Sequence, residues 1–328
     1  FINWLWPMYN SEYEFDENGW TEDARNWAVL TAAENFVIMS EDLEGSNLDI
    51  AEIVNPTATS SDAERAWHFL LPGFTSGYMY YGKAIDMEIK QTIASNNAIS
   101  HAENIINSNQ GIDSTGPSVF IPQRYPYNPV EIGFGPTYGY QQHLNSADFT
   151  VWTFGFDVNG ITSAELKYRI DNDGINPLNN NDNETYAGGT SVSDWESINM
   201  TERIFPKANI TNDPEINFFV LPEYIASEYY AKIEGLSEVL VDYYVEMTDN
   251  NGNITKSKIQ HVWVGENLNV NPTISYAPEN NYDLTSINVT ISATDSTDPN
   301  PTIYFTTDGS TPTLSSNSST TDVNITIT

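Results

Sequence analysis

"VDYYVEMTDNNGN" (241–253) decides what the second half of this chain is. Val241, Tyr243, Val245 and Met247 recur at every second position, the period of a half-buried strand. "TDNNGN" (248–253) then predicts a tight hairpin turn that returns the chain into "KIQHVWVG" (258–265). The same period runs upstream through Trp152, Phe154, Phe156 and Val158. It continues through Leu166, Tyr168 and Ile170, set against Glu165, Lys167 and Arg169. An antiparallel β-sandwich is therefore expected over 148–266.

Downstream, "NPTISYAPENN" (271–281) opens a further β unit, expected over 267–328. Ile287, Val289 and Ile291 point one way and Asn288 and Thr290 the other. Val323, Ile325 and Ile327 repeat the pattern with Asn324 outward. A complete sandwich of this kind needs roughly 100 residues and seven strands, so this last unit is expected to be incomplete. The open edge of strand 322–328 would then invite self-association.

Upstream the period becomes helical. In "WTEDARNWAVLTAAENFVIMSEDLEG" (20–45) Thr21 is placed to cap, acids fill the first turn, and Trp27, Leu30, Ala33 and Val37 form a stripe that stops at Gly45. "SSDAERAWHFLLPG" (60–73) begins with a capping box, Ser61 and Glu64, and carries Ala63, Ala66, Trp67 and Leu70 on one face up to Pro72-Gly73. A third stripe, Ile89, Ile93, Ala94, Ala98, Ala102 and Ile105, predicts a helix from about 84 to 106, ended by Gly111. Three such helices need one another or a neighbouring domain to bury their stripes. Residues 1–112 are therefore read as a helical bundle region. The five prolines that follow make 113–147 an extended connector. The fold class expected is multidomain α + β: a helical bundle fragment followed by two Ig-like antiparallel β-sandwiches.

The chain has 328 residues, with 45 acidic against 12 basic side chains and a net charge of −33. Such a surface repels phosphate backbones and anionic lipid heads, so neither nucleic acid binding nor membrane insertion is expected. No apolar run approaches the roughly 18 residues of a membrane span, and no signal peptide is visible at Phe1, which points to a processed or partial chain. The absence of cysteine excludes disulfides, thiol nucleophiles and Cys-based zinc sites. Seven Asn-x-Ser/Thr sequons, at Asn183, Asn199, Asn209, Asn253, Asn288, Asn317 and Asn324, suit a secreted or cell-surface protein, although an Asn/Thr-rich chain also makes them by chance.

No reaction centre stands out. "GFTSG" (73–77) lacks the serine placement of a nucleophile elbow, and "GFGPTYG" (133–139) misspaces its glycines for a dinucleotide loop. His68, His101, His143 and His261 form no i,i+4 metal pair. Two features remain. "DNDGINPLNNNDNE" (171–184) gathers Asp171, Asp173, Asn176, Asp182 and Glu184 around a glycine, oxygen ligands of the kind Ca²⁺ takes, although a solvated loop is the commoner outcome. "TSGYMYYG" (75–82) sets Tyr78, Tyr80 and Tyr81 between glycines. Three phenols within four residues are hard to satisfy in a closed core, whereas a half-exposed wall can pack flat sugar C–H faces and leave the hydroxyls to water or ligand. Trp4, Trp6 and Tyr9 in "WLWPMY" (4–9) would add to that wall.

Two resemblances extend this reading. "IYFTTDGSTPT" (303–313) resembles the signature of the small Ig-like domain at the C-termini of chitobiases and hexosaminidases, and "VDYYVEMTDNNGN" is similar to accessory sandwiches of such enzymes. "NWLWPMYN" (3–10), "AERAWHFLLPGFTSGYMYYGKAIDMEIKQTIASNNAISHAENI" (63–105) and "VFIPQRYPYNP" (119–129) resemble the region after the catalytic barrel in α-amylase-like enzymes of glycoside hydrolase family 57 and its relative, family 119. The resemblance implies a helical bundle that completes a sugar cleft, with the catalytic Glu and Asp upstream of the matched region. The function expected is the C-terminal part of a secreted polysaccharide-degrading glycoside hydrolase acting on α-glucan. The alternatives are an adhesive surface or filament protein built of Ig-like modules and a non-catalytic carbohydrate-binding protein.

Overall fold

The computed structural model describes residues 15–45, 47–75, 89–125, 148–172, 182–212, 214, 216–236, 239–264, 273–277, 287–294 and 300–327. The chain divides into two compact units, Phe1–Gly265 and Glu266–Thr328. The molecule is α + β and multidomain, with four described helices and many antiparallel strands in several sheets.

Helix α1 (Glu22–Glu44) starts where the Thr21 hydroxyl accepts a hydrogen bond from the Ala24 amide and ends at Gly45, whose φ of 97° only glycine adopts at little cost. Helix α2 (Ile50–Val54) is a single short piece that no sequence stripe announces. The predicted capping box opens α3 (Asp62–Gly73): the Glu64 amide donates to Ser61 Oγ, and the Ser61 amide donates back to the Glu64 carboxylate. The third predicted helix is seen as α4 (Lys90–Ser108); its expected first turns, 84–88, lie outside the described residues. Leu30, Ala33, Phe36 and Val37 of α1 pack with Ala66 and Leu70 of α3 and with Ala98, Ile99 and Ala102 of α4.

Two five-stranded sheets follow. The first contains β1 (Ser118–Val119), β2 (Gln123–Tyr125), β3 (Phe149–Phe156), β6 (Thr201–Arg203) and β7 (Ser227–Ile233), in the order β1-β3-β7-β6 with β2 also on β3. The second contains β4 (Ile161–Asp171), β5 (Glu196–Asn199), β8 (Val239–Asp249), β9 (Ile254–Lys256) and β10 (Gln260–Val264), in the order β10-β8-β4-β5 with β9 also on β8. All pairings are antiparallel, and the chain steps from the second sheet to the first at Met200. Phe149, Val151, Tyr229 and Ile233 of one sheet meet Leu166, Val241, Tyr243, Val245 and Met247 of the other, so the predicted alternation faces the inter-sheet core.

One expectation is corrected by the helices. The alternation of Trp152, Phe154 and Phe156 predicts one buried face of a half-buried strand, yet seven of the eight residues of β3 are buried. The reason is a third layer. Trp20, just before α1, and Ala24 and Ala28 in its first two turns pack on Trp152, Phe154 and Phe205, which closes the outer face of the first sheet. Asn35 ties the layers: its Nδ2 donates to Gly116 O at 3.1 Å, and its Oδ1 accepts from the Val158 amide at 2.9 Å.

The predicted hairpin turn lies between β8 and β9. Asp249 Oδ1 accepts from the amides of Asn251 and Asn253, each at 2.8 Å, and Gly252 takes a φ of 89°. The second unit contains β11 (Thr273–Ala277), β12 (Ile287–Thr294) and β15 (Val323–Ile327) in one antiparallel sheet, and β13 (Ile303–Phe305) with β14 (Asn317–Ser319) in a two-stranded ribbon. Asn288 and Asn324 are exposed, as the alternation in those strands requires.

Candidate functional site

The outer face of the second sheet carries a row of charges that register alone assembles. His261, Asp242 and Arg169 stand opposite one another on β10, β8 and β4. Arg169 Nε donates to Asp242 Oδ2 at 2.9 Å, and His261 Nδ1 lies 2.7 Å from Asp242 Oδ1. Asp242 is fully buried, and each of its oxygens has a charged or polar partner, as a buried carboxylate requires. The hydrogen bond to Asp242 raises the His261 pKa above the ordinary histidine range. Burial opposes the shift, while the charges of Asp242 and Glu184 add to it.

This row holds down residues 182–195. Asn183 Nδ2 donates to Asp171 Oδ2 at 2.7 Å and to Asp242 Oδ1 at 3.1 Å, and His261 Nε2 lies 3.1 Å from Glu184 Oε1. Arg169 donates to the Asp182 carbonyl oxygen and lies with its guanidinium carbon 4.1 Å from the Trp195 ring centroid. Gly188, at φ 64°, passes so close that an added Cβ would stand 2.8 Å from Arg169 Nη1.

The residues singled out for calcium are therefore placed as follows. Asp171 accepts from Asn183, Asp182 accepts from Ser191 Oγ at 2.9 Å, and Asp173 lies outside the described residues. Among the sequon asparagines, Asn199, Asn288, Asn317 and Asn324 are exposed, while Asn209 and Asn253 are half-buried. Asn183 is fully buried, and the nitrogen to which a glycan would be joined is the one bonded to Asp171 and Asp242. Tyr78, Tyr80, Tyr81, Trp4 and Trp6 lie outside the described residues.

A carboxylate cluster that sequence reasoning missed lies where the 113–116 stretch meets two turns. One oxygen each of Asp113, Asp157 and Asp249 lie within 4.8 Å of one another. Asp113 Oδ2 accepts from Asn159 Nδ2 at 2.8 Å and from Asn251 Nδ2 at 2.7 Å. Burial, with the charges of Asp113 and Asp249 adding to it, pushes the Asp157 carboxyl up to about 6. Burial alone would also raise Asp249, but hydrogen bonds from Asn253, Asn251 and Gly252 outweigh it and hold that carboxyl below its usual range. An all-oxygen set of this kind suits a hard divalent cation. The asparagine amides already on it equally suit a structural junction. No local spacing could have revealed it, because its members come from three separate segments.

The described helices include none long and apolar enough to cross a membrane. No protein-family model matches the chain. Over 224 residues the chain is 31% identical to an α-amylase of Niallia circulans. The match takes in 63% of this chain, which spans 17% of the length of that relative. The chain is thus related to one part of an α-amylase.

Proposed function

We propose that this chain is a glucan-holding portion of a secreted, starch-degrading glycoside hydrolase whose catalytic carboxylates belong to another part of the polypeptide. The observation that carries this reading is the 31% identity to an α-amylase over 224 residues, combined with a chain that covers 17% of that relative. The helical layer, in this reading, is the bundle that follows the catalytic barrel in enzymes of the family 57 and 119 kind. Residues 148–266 are an Ig-like accessory sandwich, and 267–328 are a domain of the chitobiase C-terminal kind. Tyr78, Tyr80 and Tyr81, with Trp4 and Trp6, are the residues we assign to glucan contact. Calcium is the cation we assign to the chain, and the acidic composition favours its accumulation.

The test uses the whole 328-residue chain with amylose and pullulan. Retention in an affinity gel with no new reducing ends is the expected result. Turnover well above blank would place the catalytic pair inside this chain and overturn the division of labour proposed. Failure to bind either glucan would overturn the glucan assignment.

A further inference from the structure

Beside the buried row, the outer face of the second sheet bears a strip with a different character. Lys167 on β4 stands opposite Tyr244 on β8, and Glu165 opposite Glu246, which in turn faces Lys256 on β9. Lys167 Nζ lies 2.7 Å from Glu165 Oε2, and Lys256 Nζ 3.0 Å from Glu246 Oε2. Two lysines thus neutralise two glutamates in a chain whose net charge is −33. The strip offers donors and acceptors without surplus charge.

Two aromatic rings border this floor. Tyr186 and Trp195 both pack edge to face on Tyr244, with ring centroids 4.9 and 4.7 Å apart. Their polar tips are already satisfied by backbone: Tyr186 Oη donates to Ser257 O and Trp195 Nε1 to Tyr186 O, both at 2.8 Å. The rings are therefore fixed in place, by Tyr244 beneath them, by the Arg169 guanidinium 4.1 Å from the Trp195 centroid and by Lys256 Nζ 5.1 Å from the Tyr186 centroid. Tyr186 is nonetheless 40% exposed, and Trp195 is half-buried, whereas Tyr244 beneath them is covered.

We propose that this strip binds an uncharged polysaccharide chain, with sugar C–H faces on Tyr186 and Trp195 and hydroxyls on Lys167, Glu165, Glu246 and Lys256. Paired Lys and Glu supply both donor and acceptor to a hydroxyl, which acts as either. Rings held before binding lose little freedom on contact. An anionic polymer meets the repulsion of the whole chain, and the paired carboxylates leave a cationic one no free charge within the strip, so the strip itself is matched to a neutral partner. That the polysaccharide is an α-glucan rests on the function proposed above.

The experiment is affinity electrophoresis of the full chain in gels containing soluble starch, xylan, hydroxyethylcellulose or polygalacturonate. The Tyr186→Ala/Trp195→Ala double variant is compared with a floor variant, Lys256→Met/Glu246→Gln, which keeps both aromatic side chains. The expected result is retardation by starch that weakens at least about tenfold in both variants, the scale of loss seen when anchor side chains are truncated. Circular dichroism and melting temperature should stay close to those of the parent. Should the aromatic variant fail to fold, the floor variant decides. Retardation by xylan or hydroxyethylcellulose instead, lost in the variants, would uphold the strip and overturn the α-glucan reading. Starch binding untouched by either variant would overturn the strip alone. Binding to polygalacturonate only, or to nothing, overturns the strip.

Discussion

Arg169 and Asp242 meet across β4 and β8 as an ion pair of 2.9 Å, with 1% and 0% of their side chains exposed. Removing one member strands the other in the interior, so Arg169→Met or Asp242→Asn should destabilise the first unit by about 3–5 kcal/mol. Urea unfolding followed by tryptophan fluorescence measures this. A loss below about 1 kcal/mol would mean that water reaches the pair.

His261 should make stability depend on pH in a fixed direction. Its folded pKa lies above the ordinary histidine value of 6.5, so the folded state favours the protonated ring. The extra stability is fully present below about pH 6.5 and is lost as pH rises through the folded value. Melting temperature should therefore fall as pH rises above about 6.5, and His261→Gln should flatten that part of the curve. An unchanged slope in the variant would assign the dependence to other groups.

Asp157 adds a second window. Its carboxyl is raised from 3.8 to about 6, so the folded state holds a proton that the unfolded chain has released between those values. Its contribution is most favourable below pH 3.8 and declines as pH rises to about 6. Asp157→Asn keeps an acceptor for the Asn159 amide and removes the repulsion. Thermal unfolding should show the variant about 1–2 kcal/mol more stable than the parent at pH 7.5 and equal to it near pH 4.

Asn35→Ala tests the seam between helices and sandwich. Asn35 is 1% exposed, and its loss leaves Gly116 O and the Val158 amide without their partner. The expected cost is about 1–3 kcal/mol, with faster hydrogen exchange at Val158 and little change at the far edge of the second sheet.

Local chemistry made the elements legible. Thr21, Gly45, the Ser61 and Glu64 box and the "TDNNGN" turn act within a few residues of themselves, and the structure places each where the sequence pointed. What the sequence withheld depends on contacts between distant segments. The row His261, Asp242, Arg169 exists only once strand register is set. Asp113, Asp157 and Asp249 likewise meet only when two turns and the 113–116 stretch converge. Helix α2 has five residues, too few to display a stripe. The double burial of β3 escaped because alternation shows that two faces differ, but not that a helix covers the second.

That second cover constrains how the molecule can be taken apart. Trp152, Phe154 and Phe205 form an aromatic back to the sandwich that Trp20, Ala24 and Ala28 keep dry. Recombination or engineering that moved residues 148–265 without 20–45 would deliver a sandwich with a sticky rear surface, inclined to pair with any other copy of itself. The heritable cassette is helices and sandwich together, and a linker inserted between them would have to preserve that embrace.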